Sequence, residues 1–542
     1  MATSKVFIGV DVGTGSARAG VFDATGALLG SAKREIAIWH EAGDIVEQSS
    51  EQIWQAVSES VREAIAISGV LASAVAGIGF DATCSLVAVR ADGSPVTVSP
   101  SGDLERNIIV WMDHRSAGEA EEINAGNHDV LRYVGGRISP EMETPKLLWL
   151  KRNLPKSFSD ADYFFDLPDY LTWRASGAPE RSICTVTCKW TYLAHEKRWD
   201  ENYFRAIGLG ELASEGFKRI GTKIVEPGTP LGKGLTAQAA HDLGLVAGTA
   251  VGAALIDAHA GGVGTLATGA GDHTQSIENR LAYIFGTSAC SMASAKEPIF
   301  VTGVWGPYFS AMIPGLWLNE GGQSAAGAAI DHLVEMHSAV PQARAQATAQ
   351  GLSLVAWLDS QVQDRAKPLS QAINLAGNIH VVPEFLGNRS PFAEPDARAV
   401  IAGLGLESDI ENLLSLYVAG LSGIGYGLKQ LLTRFDCQGI DIKLIVASGG
   451  AAQSNLVCQM LADATETPVS LSNVTEPVLL GAAMLAAVAS GHHKFLVDAM
   501  QQMSGTSRVF APADHTRRAI HQRRFQAFEI LQSAARGVRG LA

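Results

Sequence analysis

Cysteine is scarce in this chain, and long apolar runs are missing. There are 6 cysteines among 542 residues, and only Cys184 and Cys188 are close in sequence. No second cysteine pair or histidine cluster completes a zinc motif, so we expect reduced thiols, as is usual in the cytoplasm. The least polar stretch, Leu243 to Leu266, contains Asp257 and His259, which a membrane span would hold only at high cost. These features exclude a disulfide scaffold and argue against a membrane span.

Basic residues are in deficit, since 42 Lys and Arg stand against 55 Asp and Glu, a net charge of −13. Nucleic acids and anionic membranes require basic surfaces, so we expect neither as a partner. The first residues, MATSKVFIGVDVG, lack the apolar core and cleavage site of a signal peptide. We therefore expect a cytoplasmic protein that binds a small molecule, with monomer and homodimer both left open.

The length predicts two domains, because single hydrophobic cores stop growing near about 250–300 residues. Hydrophobic residues make up 47% of the chain and charged residues 18%, a composition typical of a packed globular protein. Glycine and other small residues cluster at Gly264–Asp272. We place the domain boundary there, giving domains 1–268 and 269–542.

Each half of the chain begins with a strand, a small-residue turn and a second strand. In the first half, Val6–Val12 and Ala17–Phe22 are strand-like and enclose a Gly-rich turn. In the second half, Leu281–Phe285 and Ala289–Ala293 enclose Gly286-Thr287-Ser288. Apolar residues at helical spacing follow at Glu51–Ser68, which predicts an α/β protein.

The turn of the first half is a candidate phosphate site. It reads Asp11-Val12-Gly13-Thr14-Gly15-Ser16, followed by Arg18. Such a turn directs backbone N–H groups and hydroxyls into one concavity, and glycine lets phosphate approach the backbone closely. Asp11, at the end of the strand, is placed to hold Mg²⁺. The alternative is an ordinary Gly-rich hairpin with a capping Asp, and the motif alone does not decide between them.

A second turn favours the phosphate interpretation. Gly286-Thr287-Ser288 opens the other half and would hold the phosphates from the opposite side. Gly449 and Gly450 follow an apolar strand and precede a predicted helix that runs through Ala464, although Gly-Gly is also a common strand-to-helix turn. No G-x-x-x-x-G-K-[ST] motif occurs in the sequence. Two phosphate turns and a later Gly-Gly pair are typical of the actin-like ATPase superfamily.

At this point the sequence resembles the FGGY carbohydrate kinases, in three segments that occur in the order of that family. Asp11–Asp23 is similar to the first phosphate loop, Gly387–Leu404 to the interdomain segment, and Ser448–Asp463 to the adenosine segment. The resemblance implies two RNase H-like domains, MgATP as donor, and a sugar in the interdomain cleft. It assigns Mg²⁺ to Asp11 and nucleotide binding to Asp11, Gly13, Thr14, Gly15, Arg18, Gly286, Thr287, Ser288, Gln323, Gly449, Gly450, Ala451 and Asn455.

Within that family, six further segments resemble ribulose kinases. Those most similar to the D-ribulose branch are Thr83–Leu86, Trp111–Arg115 and Phe165–Asp169, and those shared more widely are Cys188–Trp190, Ile256–Ala260 and Asn319–Ser324. The chain departs from the family at Ser422 and Glu394, where other members more often carry Glu and Asp. The resemblance implies phosphorylation of D-ribulose to D-ribulose 5-phosphate, with L-ribulose, xylulose and ribitol as alternatives.

The residues themselves identify a candidate general base. Phosphoryl transfer to a hydroxyl requires a carboxylate that takes the alcohol proton. Asp257 is a lone acid in a Gly/Ala-rich apolar run, where it is costly unless it has a function or a partner. The alternative role is the capping of a backbone turn. His259, close by, is interpreted as structural.

Four residues are candidates for holding the sugar. Charged side chains bind hydroxyls well, and an indole forms a wall. Asp113 could instead form a surface ion pair with Arg115, Lys189 could be an exposed lysine, and Glu320 could only begin a helix. These four are Trp111, Asp113, Lys189 and Glu320, and the candidate base Asp257 completes the substrate set.

A nucleotide switch related to actin or Hsp70 is the competing class of function. Such a protein would share both phosphate turns, so the turns do not discriminate. A switch has no need for Asp113, Lys189, Asp257 and Glu320, and the chain ends in a helical stretch, Thr516–Ala535, in place of a peptide-binding β-domain. The sequence therefore favours the kinase.

Overall fold

The computed structural model describes residues 5–267, 276–472, 474–503, 505 and 507–541. The domain boundary predicted at 268/269 lies outside these residues. Within the described ranges, no helix combines the length and the apolar character that crossing a membrane requires.

Strands and helices occur in both halves of the described chain, as the sequence predicts for an α/β protein. In chain order the strands are β1 Val6–Val12, β2 Ser16–Asp23, β3 Leu28–Glu35, β4 Trp39–Glu41, β5 Ile45–Gln48, β6 Val75–Ala82, β7 Leu86–Val89, β8 Ile108–Ile109, β9 Tyr163–Asp166, β10 Arg181–Ser182, β11 Ile224–Val225, β12 Ala250–Val251, β13 Leu255–Ile256, β14 Arg280–Phe285, β15 Ala289–Ala295, β16 Trp305–Phe309, β17 Trp317–Gln323, β18 His380–Val382, β19 Val400–Ala402, β20 Leu444–Ser448, β21 Val469–Ser472 and β22 Ser507–Phe510.

The α-helices include two long ones in the last third of the chain, α14 and α18. They are α1 Ser50–Ser68, α2 Ala117–Ala125, α3 Glu143–Asn153, α4 Pro155–Asp160, α5 Leu167–Ser176, α6 Ile183–Lys189, α7 Glu201–Ala206, α8 Gly210–Ser214, α9 Ala237–Leu243, α10 Asp257–Leu266, α11 Gly327–Glu335, α12 Val340–Ala349, α13 Leu354–Arg365, α14 Ile410–Cys437, α15 Asn455–Thr465, α16 Pro477–Ala489, α17 Leu496–Gln502 and α18 His515–Arg539.

The first sheet has the order β12-β6-β1-β2-β3, with β13 also paired to β6. Strands β1, β2 and β3 form the antiparallel meander that the sequence predicts, and β6 runs parallel to β1. Because β1 and β6 are parallel, their carboxyl ends lie at the same edge, where Asp11 is the register partner of Asp81. A separate sheet has the order β4-β5-β8-β7-β9. Its strand β7 follows β6 after three residues, and the segment that contains Trp111 and Asp113 follows its strand β8.

The second sheet repeats this plan in the order β16-β17-β15-β14-β20-β21-β22. Strands β14 and β15 form an antiparallel hairpin, and β20 runs parallel to β14, as β6 does to β1. The predicted helix after β20 begins later than expected. Gly449 has a φ of +92°, a short 3₁₀ turn covers Ala451–Gln453, and α15 starts at Asn455, where the Ser454 side chain caps it.

Helix α16, from the second half of the sequence, packs on the sheet of the first half. Its backbone approaches β1 and β6 so closely that a Cβ on Gly9 or Gly79 would overlap the carbonyl oxygens of Leu479 and Ala482. Gly481 of α16 likewise lies against the backbone of α10. Glycine at these positions therefore lets α10 and α16 pack together between the two sheets, directly behind the turns.

Candidate active site

The turn between β1 and β2 has its carbonyl groups held by neighbouring elements. The Gln48 side chain donates from Nε2 to the carbonyl oxygen of Thr14 at 2.8 Å, and the N–H of Ile36 donates to that of Gly15 at 3.2 Å. In a planar trans peptide, the next N–H points away from the preceding carbonyl. The N–H groups of Gly15 and Ser16 therefore point away from these partners.

The turn between β14 and β15 is held in a similar way by the start of α11. The N–H of Ala326 donates to the carbonyl oxygen of Thr287 at 2.9 Å, and the N–H of Gly327 donates to that of Gly286 at 3.0 Å. The N–H groups of Thr287 and Ser288 point the opposite way. Both turns thus present backbone donors, the arrangement that anionic oxygens require.

Four of the predicted phosphate glycines are not needed for packing. A Cβ on Gly15 or Gly450 would meet no protein atom within 4 Å, and on Gly13 and Gly286 the nearest atoms would be 3.9 and 3.8 Å away. These glycines leave room for a ligand to reach the backbone. Gly449 differs, because its positive φ and a carbonyl oxygen 2.5 Å from a built Cβ make glycine a requirement of the fold.

Arg18 connects the first turn to both halves of the molecule. Its Nε donates to Asp11 Oδ2 at 2.8 Å, and its Nη1 donates to Glu476 Oε2 at 2.8 Å, at the N-terminus of α16. These residues line a cavity of about 470 Å³ beside the turn. One oxygen of Asp11, the predicted Mg²⁺ ligand, is therefore already bound by a cation of the protein.

Asp81, next to Asp11, is a site residue for which the sequence analysis proposed no role. It is fully buried, and neither carboxylate oxygen has a hydrogen-bond partner among the described residues. Burial, and then the proximity of Asp11, raise the pKa of Asp81 well above its usual value. An isolated buried carboxyl is costly unless a cation or proton compensates it. The available sequence signal was its position directly after the apolar strand residues Val75–Phe80.

Asp257, the predicted base, lies beside these two acids. It follows β13, in which Leu255 is the register partner of Asp81, and it begins α10. Burial, and then Asp11, raise the pKa of Asp257 to about 6. Its Oδ1 accepts the N–H of Ala258 at 2.7 Å, so the local backbone contact of the alternative interpretation is also present.

Glu320 and His259 form a chain of contacts from the cleft into the protein. His259 Nε2 lies 3.3 Å from Glu320 Oε2, and His259 Nδ1 lies 3.1 Å from Cys184 Sγ. Burial opposes charge on both Cys184 and His259, yet Cys188 and His259 lower the pKa of the Cys184 thiol, and Cys184 and Glu320 raise the pKa of the His259 ring. The sequence analysis found no histidine cluster to complete the cysteine pair, because His259 lies 75 residues from Cys184 in sequence and meets it only in the folded chain.

Lys189 is the last residue of α6 and points into the same region. Burial by itself would lower its pKa, but Cys84, Glu141, Tyr308 and Glu320 raise it well above its usual value. Lys189 is therefore a cation among acidic and polar groups. Its side chain is half-buried, which does not match the exposed lysine of the alternative interpretation.

Two further charged residues belong to this region and were not identified from the sequence as site residues. Burial would raise the pKa of Glu141, but His114, Lys189 and Arg389 lower it on balance. Arg389 Nη1 also lies 3.8 Å from Cys290 Sγ, near the second turn. Arg389 lies in the interdomain segment that the sequence analysis identified, whereas Glu141 had no local pattern to mark it.

Trp111 joins the predicted sugar residues to the first turn. Its Nε1 donates to Thr14 Oγ1 at 2.9 Å. A residue predicted to form the wall of a sugar pocket thus contacts a residue predicted to bind phosphate. This direct contact was not anticipated from the sequence.

Asp113 has a buried ion pair, not the surface one considered above. Its Oδ2 accepts the N–H of Val46 at 2.6 Å, and its carboxylate binds Nε and Nη2 of Arg115. Its side chain is fully buried. Because both oxygens bind protein donors, the geometry gives it a structural task, and its role as a sugar ligand stays a prediction.

Two of the predicted nucleotide residues also have protein partners. Gln323 accepts from the Tyr283 hydroxyl and donates to the carbonyl oxygen of Ile424, both at 3.0 Å. Asn455 Oδ1 accepts from Arg508 Nη1 at 2.9 Å. Their assignments to the nucleotide, like that of Ala451, remain predictions.

Comparison with known proteins identifies related sequences. The N-terminal domain of the FGGY family of carbohydrate kinases matches residues 6–264, and its C-terminal domain matches residues 281–490. The human FGGY carbohydrate kinase domain-containing protein is 44% identical over 530 residues, covering 97% of this chain and 95% of that protein. A D-ribulokinase of Saccharomyces cerevisiae is 38% identical over 515 residues, covering 90% of this chain and 72% of its own length.

Solved structures confirm the predicted fold class. A xylulose kinase from Rhodospirillum rubrum superposes with a TM-score of 0.79 at 20% identity, covering 98% of this chain and 99% of its own. The glycerol kinase of Plasmodium falciparum, solved with ADP, gives 0.76 at 16% identity, covering 97% and 98%. These similarities concern the fold, and the sequence matches identify the family. The protein belongs to the FGGY family of carbohydrate kinases.

Proposed function

We propose that this kinase transfers the γ-phosphoryl group of MgATP to the terminal hydroxyl of a ketopentose, with D-ribulose as its substrate. The products are D-ribulose 5-phosphate and ADP. The observation that carries the proposal is the grouping of Asp257 with Asp11 and Asp81, close enough to Lys189 for their charges to interact, while Lys189 interacts in turn with Glu320. The similarity to the S. cerevisiae D-ribulokinase supports the choice of sugar.

The residues present fit a nucleotide and a divalent cation. The open glycines of both turns allow phosphate oxygens to reach backbone N–H groups. The buried oxygens of Asp81, without a partner among the described residues, together with Asp11 suit a hard cation such as Mg²⁺. When bound, Mg²⁺ would offset the negative charge of the phosphates. We assign the adenosine side to Gly449, Gly450 and the residues that follow.

Asp257 would act as the general base. A carboxylate with a pKa of about 6 is mostly ionised at pH 7, yet it is more basic than an exposed Asp. It can therefore accept the proton of the terminal hydroxyl as that oxygen attacks phosphorus. Closure of the two halves around both substrates would exclude water that competes for the phosphoryl group.

The sugar would lie between the two halves. The Lys189 cation suits the ketone oxygen, the Glu320 carboxylate accepts from hydroxyl groups, and Trp111 closes one side. Lys189 and Trp111 come from the proposed domain 1–268, whereas Glu320 comes from 269–542. The proposed sugar pocket therefore uses both domains, as the interdomain cleft implied by the family resemblance requires.

A panel of sugars tests the proposal. ADP release is measured with D-ribulose, L-ribulose, D-xylulose and ribitol, and Asp257→Asn serves as the background control. We expect the highest kcat/KM with D-ribulose. A higher kcat/KM with another ketopentose would make that sugar the substrate in place of D-ribulose. A rate of ADP release that is the same with and without each sugar would favour the nucleotide switch.

A further inference from the structure

The chain of contacts behind Glu320 ends in a cluster of three metal-ligating side chains. Cys184 and Cys188 lie one turn apart on α6, and His259 lies on α10. The two sulfur atoms and one ring nitrogen lie within 4.8 Å of one another. The three residues are between 0% and 2% exposed. Two thiolates and an imidazole are a donor set that zinc prefers.

The distances are close to those of a tetrahedral zinc site. With Zn–S near 2.3 Å and Zn–N near 2.0–2.1 Å, the ligands of such a site lie about 3.6 Å (S to N) and about 3.8 Å (S to S) apart. The Cys184 Sγ to His259 Nδ1 distance is 3.1 Å, and no pair in the cluster exceeds 4.8 Å. Side-chain atoms need to move by at most about an ångström to change the observed cluster into a tetrahedral zinc site.

The groups around the cluster are those that orient metal ligands. His259 turns Nδ1 toward the sulfur, while Nε2 meets Glu320 Oε2 at 3.3 Å. A histidine between a metal and a carboxylate is the usual arrangement in zinc sites, because the carboxylate fixes the tautomer and the ring. The N–H of Ile256 lies 3.4 Å from Cys184 Sγ and donates to it, which stabilises a thiolate.

We propose that Cys184, Cys188 and His259 bind one Zn²⁺ ion that fixes the orientation of Glu320. Binding removes one proton from Cys188 and one from the hydrogen-bonded Cys184–His259 pair, releases both to solvent, and leaves two thiolates whose charges the ion neutralises. His259 coordinates through Nδ1 and donates its Nε2 proton to Glu320. The metal site itself does not depend on the proposed substrate. Only the consequence for Glu320 as a sugar ligand rests on the proposed function.

Metal content tests the site directly. Tag-free, full-length protein is dialysed against metal-free buffer and analysed for zinc, and cobalt(II) is then exchanged into the protein. We expect about one zinc per chain and, with cobalt, a thiolate-to-metal charge-transfer absorption in the near ultraviolet. A chain that retains no zinc, binds none on titration and shows no such absorption contains only a hydrogen-bonded thiol–imidazole cluster, and the proposal is then wrong.

Cysteine variants locate the ligands. Cys184→Ser and Cys188→Ser should each lower the zinc content from about one to near zero, whereas Cys437→Ser, at an exposed position, should keep it. Equal zinc content in all four proteins would place the metal elsewhere and overturn the proposal. If the two ligand variants do not fold, zinc and cobalt titration of the wild type still decides, with Cys437→Ser as the matched control.

A second measurement separates the metal site from the proposed function. Zinc removed by a chelator should raise the KM for D-ribulose several-fold, because Glu320 loses its fixed partner, while ATP binding measured by calorimetry stays unchanged. Loss of zinc without any change in KM would overturn the link to Glu320. If the protein binds zinc but phosphorylates no sugar, the zinc site is correct and the proposed substrate is wrong.

Discussion

The two phosphate turns share a backbone plan but have different surroundings. At the first turn, charged side chains gather: Arg18 binds Asp11 and Glu476, and Asp81 lies at the next strand end. The second turn is held mainly by backbone hydrogen bonds to the start of α11. The two hairpins therefore differ in their surroundings, with charged side chains around the first turn and backbone N–H donors around the second.

This difference indicates where catalysis and binding are coupled. The first turn contacts the sugar side through Trp111 and Thr14 and the second half through Arg18 and Glu476. The second turn contacts the start of α11. We infer that substitutions around the first turn affect the rate of phosphoryl transfer and the binding of both substrates. Substitutions at the second turn should affect only the binding of the nucleotide. The predictions below test that division.

The largest effect is expected at the predicted base. Asp257→Asn keeps the shape of the side chain but cannot accept the proton, so kcat should fall by about 10²–10⁴ while MgATP affinity stays nearly constant. Steady-state kinetics with D-ribulose and calorimetry with MgATP measure the two quantities. Turnover at the wild-type rate would remove Asp257 as the base.

Lys189 should show an effect that depends on the sugar. Lys189→Met keeps most of the stem but removes the charged donor, so D-ribulose should lose about 2–3 kcal/mol in kcat/KM. Ribitol has no ketone and should lose clearly less. Lys156→Met, at an exposed position, is the control. Equal losses with both sugars would mean that Lys189 binds a common hydroxyl or supports the fold.

The two turns are compared directly by removing one hydroxyl from each. Thr14→Val and Thr287→Val should each weaken MgATP binding by about 1.5–3 kcal/mol, as for hydrogen bonds to charged oxygens. Only Thr14→Val should also raise the KM for sugar, because it removes the acceptor of Trp111. Calorimetry and sugar kinetics measure both effects.

Trp111→Phe is the matched control for that comparison, since it deletes the indole donor and keeps Thr14. It should raise the KM for sugar and leave MgATP affinity close to that of the wild type. If Thr14→Val and Thr287→Val behaved identically toward both substrates, the division between the turns would fail. If both variants bound ATP with the affinity of the wild type, the proposal that the two turns bind phosphate would be wrong.

The smallest effect is expected at the contact between the halves. Glu476→Gln removes one charge from the pair with Arg18, in which both side chains are 33% exposed. Water screens such a pair, so the free energy of unfolding should fall by at most about 1 kcal/mol. Urea unfolding measures it, with the exposed Glu529→Gln as control. A loss of several kcal/mol would mean that this ion pair holds the halves together.

Local patterns in the sequence predicted the elements and the turns well. The meander Val6–Glu35 follows from alternation and turn residues, and Asp257 was identified because a lone acid in an apolar run is costly. What local patterns did not reveal is contact between distant segments. His259 meets Cys184 only because α10 packs near α6, and 75 residues separate them in sequence.

Asp81 and Asp113 also differ from the sequence-based predictions because local patterns do not reveal contacts between distant segments. Asp81 has an ordinary position at the end of an apolar strand, and only the parallel pairing of β1 and β6 places it beside Asp11. Asp113 carries the expected pairing with Arg115, but the sequence did not show that the pair is buried. Burial and long-range register are properties of the folded chain, so sequence patterns predicted residue types better than their partners.

Analysis of the reaction product tests the central claim most directly. The wild type is incubated with MgATP and D-ribulose, and phosphorus–proton correlation NMR identifies the product. We predict a phosphomonoester coupled to the terminal methylene protons of the sugar, formed in equal amount to ADP. ADP with inorganic phosphate, released at the same rate with or without sugar, would contradict the account and identify a nucleotide switch instead of a sugar kinase.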